Sequence, residues 1–104
     1  MLYLVRMTVS PPYGMPPEEF ERLKNQEKEV GIRLQREGVW KHLWRVAGAY
    51  ANVSIFEVDS PEQLHAAIGS LPFFPFLSVE ATPLVAHPSS INPADNPALK
   101  EEMA

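Results

Sequence analysis

The sequence predicts an α+β fold: one antiparallel sheet with two helices on one face, in the order βαββαβ. Three observations predict it. Four short segments rich in β-branched and aromatic residues alternate with two helix-favouring segments, in the order strand, helix, strand, strand, helix, strand. The two middle strands are joined by a link too short for anything but a hairpin. The chain has 104 residues, enough for one compact domain and not for two.

The first strand is residues 2–9 (LYLVRMTV), apolar at both parities and so expected to be buried on both faces. PPYGMPP at 11–17 places four prolines and a glycine in seven positions, which excludes helix interior and central strand. A helix starts after it, with Pro16 or Pro17 in the first turn and Glu18 and Glu19 at the positive end of the dipole. It runs to Glu37 and stops at Gly38, with Gly31 inside it at a cost of about 1 kcal/mol against alanine.

Residues 39–46 (VWKHLWRV) form the second strand and 50–58 (YANVSIFEV) the third. Asp59-Ser60-Pro61-Glu62 supplies a capping residue and then a proline at the first helical position, so a second helix covers 61–70. LPFFPF breaks that helix, and 77–86 form the fourth strand. Pro83 puts that strand at an edge or in a bulge. This is the ferredoxin-like arrangement. Strands that are apolar on both faces call for a second subunit over the sheet face that the helices leave bare. The domain is expected over 1–91, and 92–104 form a polar, proline-punctuated tail, either disordered or draped over a neighbour.

Composition narrows the function. Thirteen acidic against nine basic residues give a formal charge of −4, which disfavours a general affinity for nucleic acid. The absence of cysteine removes disulfides, thiolate metal sites and cysteine nucleophiles together. No apolar run reaches the roughly 18 residues needed to span a bilayer, and MLYLVRMTV is unlike a signal peptide. A cytoplasmic location is the expectation. His42, His65 and His87 share no metal-ligand spacing, and there is neither a phosphate loop nor a GxSxG motif. No metal and no cofactor are expected, which favours proton transfer by side chains.

The most informative position is Glu27. The apolar stripe of the first helix runs Phe20, Leu23, position 27, Val30, Leu34, in steps of three and four. A carboxylate on that stripe costs several kcal/mol unless it is paired, hydrogen-bonded or neutral. Its pKa is then pushed up, toward the range of a general base near neutral pH. The competing reading pairs Glu27 with a lysine or arginine, or turns it outward. Lys24, Lys28, Glu29, Arg33 and Arg36 read mostly as a solvated helix face.

The hairpin is the second constellation. Strict alternation puts Trp40, His42 and Trp44 on one face and Val39, Lys41, Leu43 and Arg45 on the other. Tyr50, Asn52, Ser54 and Phe56 share a face of the next strand. Aromatics interleaved with His, Asn and Tyr suggest an apolar pocket with a few placed donors, against two-sided core packing. His65 reads as a surface or interface residue, and His87 as part of a pocket mouth or subunit contact.

MLYLVRMTV, LKNQEKEVGIRLQREGVWKHLWRVAGAYANVSIFEV, LPFFPF and HPSSI together resemble the muconolactone delta-isomerase family, from residue 1 to about 91. The resemblance implies a cofactor-free enzyme of the catechol branch of the β-ketoadipate pathway. Its ferredoxin-like subunits pair sheet to sheet as a dimeric α+β barrel and assemble into a decamer. It implies a 1,3-proton shift that converts (S)-muconolactone to 3-oxoadipate enol-lactone. In that reading Glu27 is the base, and His42, Asn52 and Tyr50 are candidate donors to the lactone oxygen. Lys28, Arg45 or Arg6 holds the substrate carboxylate, and Trp40, Trp44 and Phe76 wall the site. Two other readings share the fold: a cofactor-free monooxygenase and a non-catalytic member that binds a small acid.

Overall fold

A computed structural model describes residues 1–99; the end of the expected tail, 100–104, lies outside the described residues. The elements are β1 (Leu2–Val9), α1 (Pro17–Arg36), β2 (Trp40–Arg45), β3 (Ala51–Glu57), α2 (Pro61–Gly69), a single 3-10 turn (Phe74–Phe76) and β4 (Leu77–Leu84). The sheet order is β2-β3-β1-β4, and every neighbouring pair is antiparallel. β4 is therefore an edge strand, where the N–H that Pro83 lacks costs no pairing.

Local chemistry explains the ends of the elements. Pro17 opens α1, with Glu18 and Glu19 in its first turn, and Gly38 leaves it at φ 79°. α2 begins at Ser60, whose side chain accepts from the Gln63 N–H at 3.1 Å, and Gln63 reaches back to accept from the Asp59 N–H. Gly48 at φ 79° makes the β2–β3 turn, closed by the Val46 N–H donating to Ala51 O at 3.0 Å.

The core lies between the helices and one sheet face. Tyr3, Val5 and Met7 of β1 meet Phe56 of β3, Leu34 of α1, and Leu64 and Ile68 of α2. Trp40 stacks on Phe56 with ring centroids 5.2 Å apart. The opposite sheet face is bare in the single chain. Leu4 is 38% and Trp44 67% exposed, and Arg6 is exposed as well. Within the single chain β1 is thus covered on one side, and its other side is the one for which the sequence calls for a second subunit.

Two further differences concern the hairpin and the tail. The β2–β3 register shifts between Trp40 and His42: Trp40 pairs with Phe56 while His42 pairs with Ile55. The extra residue, Lys41, breaks the alternation. Trp40, Leu43 and Arg45 face the helices, whereas His42 and Trp44 face the bare side, so Trp40 does not share a face with them. After Leu84 the described part of the tail is turned on itself. The buried Asn96 side chain donates to the carbonyls of Ser90 at 3.1 Å and Pro88 at 3.4 Å.

Candidate active site

A cavity of about 490 Å³ opens between α1 and the β2–β3 end of the sheet. α1 contributes Lys24, Glu27, Lys28 and Gly31 to its wall. Trp40, Leu43 and Arg45 come from β2, Tyr50 and Asn52 from the turn and β3, and Phe73 from the loop after α2. The lining is mainly apolar with a few polar groups, the usual composition of a small-molecule site.

Glu27 is half-buried on the stripe, between the buried Leu23 and Leu34. None of the ion pairs among the described residues involves it. Its one hydrogen-bond partner among the described residues is the Phe73 backbone N–H, which donates to Oε1 at 3.4 Å. Burial pushes its pKa up to about 7, partly offset by that backbone bond. Among the described residues Glu27 pairs with no cation, and it does not turn out to solvent. It is a carboxylate poised between its two protonation states near neutral pH.

The donors and cations line the same cavity. Arg45 and Asn52 are direct partners in the β2–β3 register, side by side on the helix-facing side. The Arg45 guanidinium lies over the Tyr50 ring, 5.1 Å from its centroid. Tyr50 packs on Phe20 at 5.9 Å, and Phe20 on Phe73 at 5.4 Å. This aromatic row ties the cation to the loop that carries the amide on Glu27. The Asn52 carbonyl Oδ1 accepts from the Ser54 hydroxyl at 2.7 Å.

Glu27, Lys28, Trp40, Arg45, Tyr50 and Asn52 thus converge on one cavity. His42 and Trp44 line the bare sheet face instead, because of the bulge at Lys41. Arg6 also lies on that face, opposite Val53 and Glu80. Phe76 is half-buried in the 3-10 turn, where its carbonyl accepts from the Ser10 N–H at 2.8 Å; the neighbouring Phe73 takes the place in the wall. His65 packs edge-on against Phe74 beside a smaller groove, and the His87 Nδ1 accepts from the Ser89 N–H in a tail turn.

Sequence reasoning missed Lys24, Phe73 and the role of Gly31. Lys24 had a signal, since it lies three residues before Glu27 and so shares its side of α1. Gly31 had one too, as a helix-interior glycine that a close approach would explain. A Cβ there would lie 3.3 Å from Trp40 Cζ3.

The family model for muconolactone delta-isomerase matches residues 1–90. This chain is a member of the muconolactone delta-isomerase family. The muconolactone delta-isomerase of Pseudomonas aeruginosa is 53% identical over 95 residues, which is 91% of this chain and 99% of that protein. The Rhodococcus opacus muconolactone delta-isomerase is 39% identical over 90 residues, covering 86% and 97% of the two chains. A crystal structure of muconolactone isomerase superposes with a TM-score of 0.83 at 52% identity, over 88% of this chain and 96% of that one. Both the cavity and its Glu27 fall within the stretch matched by the muconolactone delta-isomerase family.

Proposed function

We propose that the protein is a muconolactone delta-isomerase that converts (S)-muconolactone to 3-oxoadipate enol-lactone in the catechol branch of the β-ketoadipate pathway. The single observation that carries this reading is the half-buried Glu27 carboxylate, unpaired and held near pKa 7 in the wall of an apolar cavity. Ionised Glu27 takes the proton from the γ-carbon of the ring. The electron pair moves through the ring onto the lactone oxygen as a dienolate, and Glu27 returns the proton at the α-carbon. The double bond has then moved from the α,β to the β,γ position, with no net change in protons or electrons.

Asn52 and Tyr50 are the donors for the charge that develops on the lactone oxygen; removing one such donor typically costs about 2.7–4 kcal/mol of barrier. Arg45, with Lys24 and Lys28 across the cavity, holds the substrate's own carboxylate. Trp40, Phe73 and Leu43 exclude water from the base. These groups suffice for a proton shift, and we assign no cofactor and no metal to the reaction.

We assign the catalytic unit to residues 1–91, with 92–104 as a C-terminal extension. The bare sheet face, with Leu4, Trp44 and Leu84 all more than a third exposed, supports pairing with a second copy as a dimeric α+β barrel. A decamer of such dimers follows the family reading. No helix among the described residues is long and apolar enough to cross a membrane, and we place the enzyme in the cytoplasm.

Proton NMR of the protein with (S)-muconolactone in deuterated buffer tests the activity. Loss of the γ-proton signal with growth of the enol-lactone is the expected result, and the deuterium content at the α-carbon reports exchange at Glu27. An unchanged spectrum removes this substrate from consideration.

A further inference from the structure

Ser54 is fully buried, at 0% exposure, in the row of β3 that faces the helices. Its register partners are Val5 on β1 and Leu43 on β2, both apolar. An alanine would fill this place without a polar atom to desolvate, so the hydroxyl needs a reason to be there. Its hydrogen bond goes to one group, the Oδ1 of Asn52, at 2.7 Å. Asn52 stands two residues earlier on the same strand face and lines the cavity. A primary amide has two ends with opposite hydrogen-bonding character. Only the Nδ2 end can donate to a lactone oxygen as it becomes negative. An amide free to rotate would present its carbonyl oxygen to that charge part of the time.

We propose that Ser54 is a positioning residue for the isomerisation: its hydroxyl holds the Asn52 carbonyl oxygen and thereby turns the Asn52 NH₂ into the cavity, toward the lactone oxygen of the substrate. Ser54 touches no substrate; it acts through Asn52. The inference rests on the reading of Asn52 as a donor to the dienolate. Because that charge is absent from the bound lactone and develops only as the dienolate forms, the loss falls on kcat and leaves KM nearly unchanged.

The test is a cycle of Ser54→Ala, Asn52→Ala and the double variant, with kcat and KM for (S)-muconolactone and a thermal melt for each. Asn52→Ala should lower kcat about 100-fold, as loss of an oxyanion donor does. Ser54→Ala should lower it about tenfold, with KM within about twofold of the wild type. The double variant should be no slower than Asn52→Ala alone, because the hydroxyl has no other route to the reaction. Ser54→Cys keeps most of the volume and a weak donor; its kcat should fall between wild type and Ser54→Ala, and it serves in the cycle if the alanine variant does not fold. A wild-type kcat in folded Ser54→Ala overturns the inference while leaving the Asn52 reading intact, and so does a double variant whose losses multiply. A wild-type kcat in Asn52→Ala overturns the donor reading itself, and the inference with it.

Discussion

Glu27 owes its chemistry to where a helical repeat puts it. Its neighbours along the stripe, Leu23 and Leu34, are buried, and the cavity wall takes it out of bulk water without giving it a counter-charge. The titratable side chains that line the same cavity are Lys24 and Lys28 on α1, Arg45 on β2 and Tyr50, none of them in an ion pair with Glu27 among the described residues; the loop after α2 contributes the Phe73 amide. Glu27→Gln, which keeps the shape and cannot accept a proton, should lower kcat by about 10²- to 10⁴-fold while the fold survives. In the wild type kcat/KM should rise with pH through about 7, as the base ionises, and level above it. Stability runs the other way. Because the folded pKa lies above the unfolded value of 4.5, the folded state holds the proton more tightly, and Glu27 costs stability increasingly as pH rises from 4.5 through about 7. Thermal melts at pH 5 and pH 8 check the sign: the gain from Glu27→Gln over wild type should be larger at pH 8. At this scale the sequence was legible for Glu27, because a single polar residue interrupts a clear period. It was silent on Phe73, whose contribution is a backbone amide that no side-chain pattern reveals.

At the scale of the element, α1 and β2 meet through one glycine and one tryptophan. Gly31 lets the helix pass over the Trp40 ring, which is stacked from below on Phe56 at 5.2 Å and so cannot retreat into the core. Gly31→Ala would gain about 1 kcal/mol of helix propensity at an unobstructed site. Here its Cβ meets Trp40 Cζ3 at 3.3 Å, and crowding a packed core costs about 1–3 kcal/mol. We therefore expect a net loss of up to about 2 kcal/mol in denaturant unfolding, with a several-fold rise in KM as the ring is pushed into the cavity. A higher melting temperature with unchanged KM would contradict this. The same region shows where periodicity stops being readable. All four strands and both helices appear in the sequence within a residue or two, since capping residues and prolines mark their ends. The bulge at Lys41 leaves no such mark. It is an irregularity of pairing against β3, and it alone moves His42 and Trp44 to the other side of the sheet from Trp40.

The whole molecule is two-faced. Its helix side encloses the core and the cavity, while the other side of the sheet shows Leu4, Trp44 and Leu84 to solvent beside the exposed Arg6. Strands that alternate polar and apolar would leave such a face wet. Here the apolar residues on both parities, visible in LYLVRMTV alone, ask for a cover that two helices on one side cannot provide. In the dimeric reading proposed above, a second copy would meet that need with a self-complementary contact, as two-fold dimers do. Trp44 is the sharpest probe, because it is 67% exposed on this face and lines no part of the cavity. Trp44→Glu would bring two like charges into the contact, one from each copy, and bury them without partners at a cost of several kcal/mol. Sedimentation velocity should show the wild type as an oligomer and Trp44→Glu as a folded chain of 11.7 kDa or an assembly reduced in size. Trp44→Phe, which keeps an apolar ring there, should sediment like the wild type. If Trp44→Glu sediments as the wild type does, the face is not the contact, and its apolar residues serve some other partner.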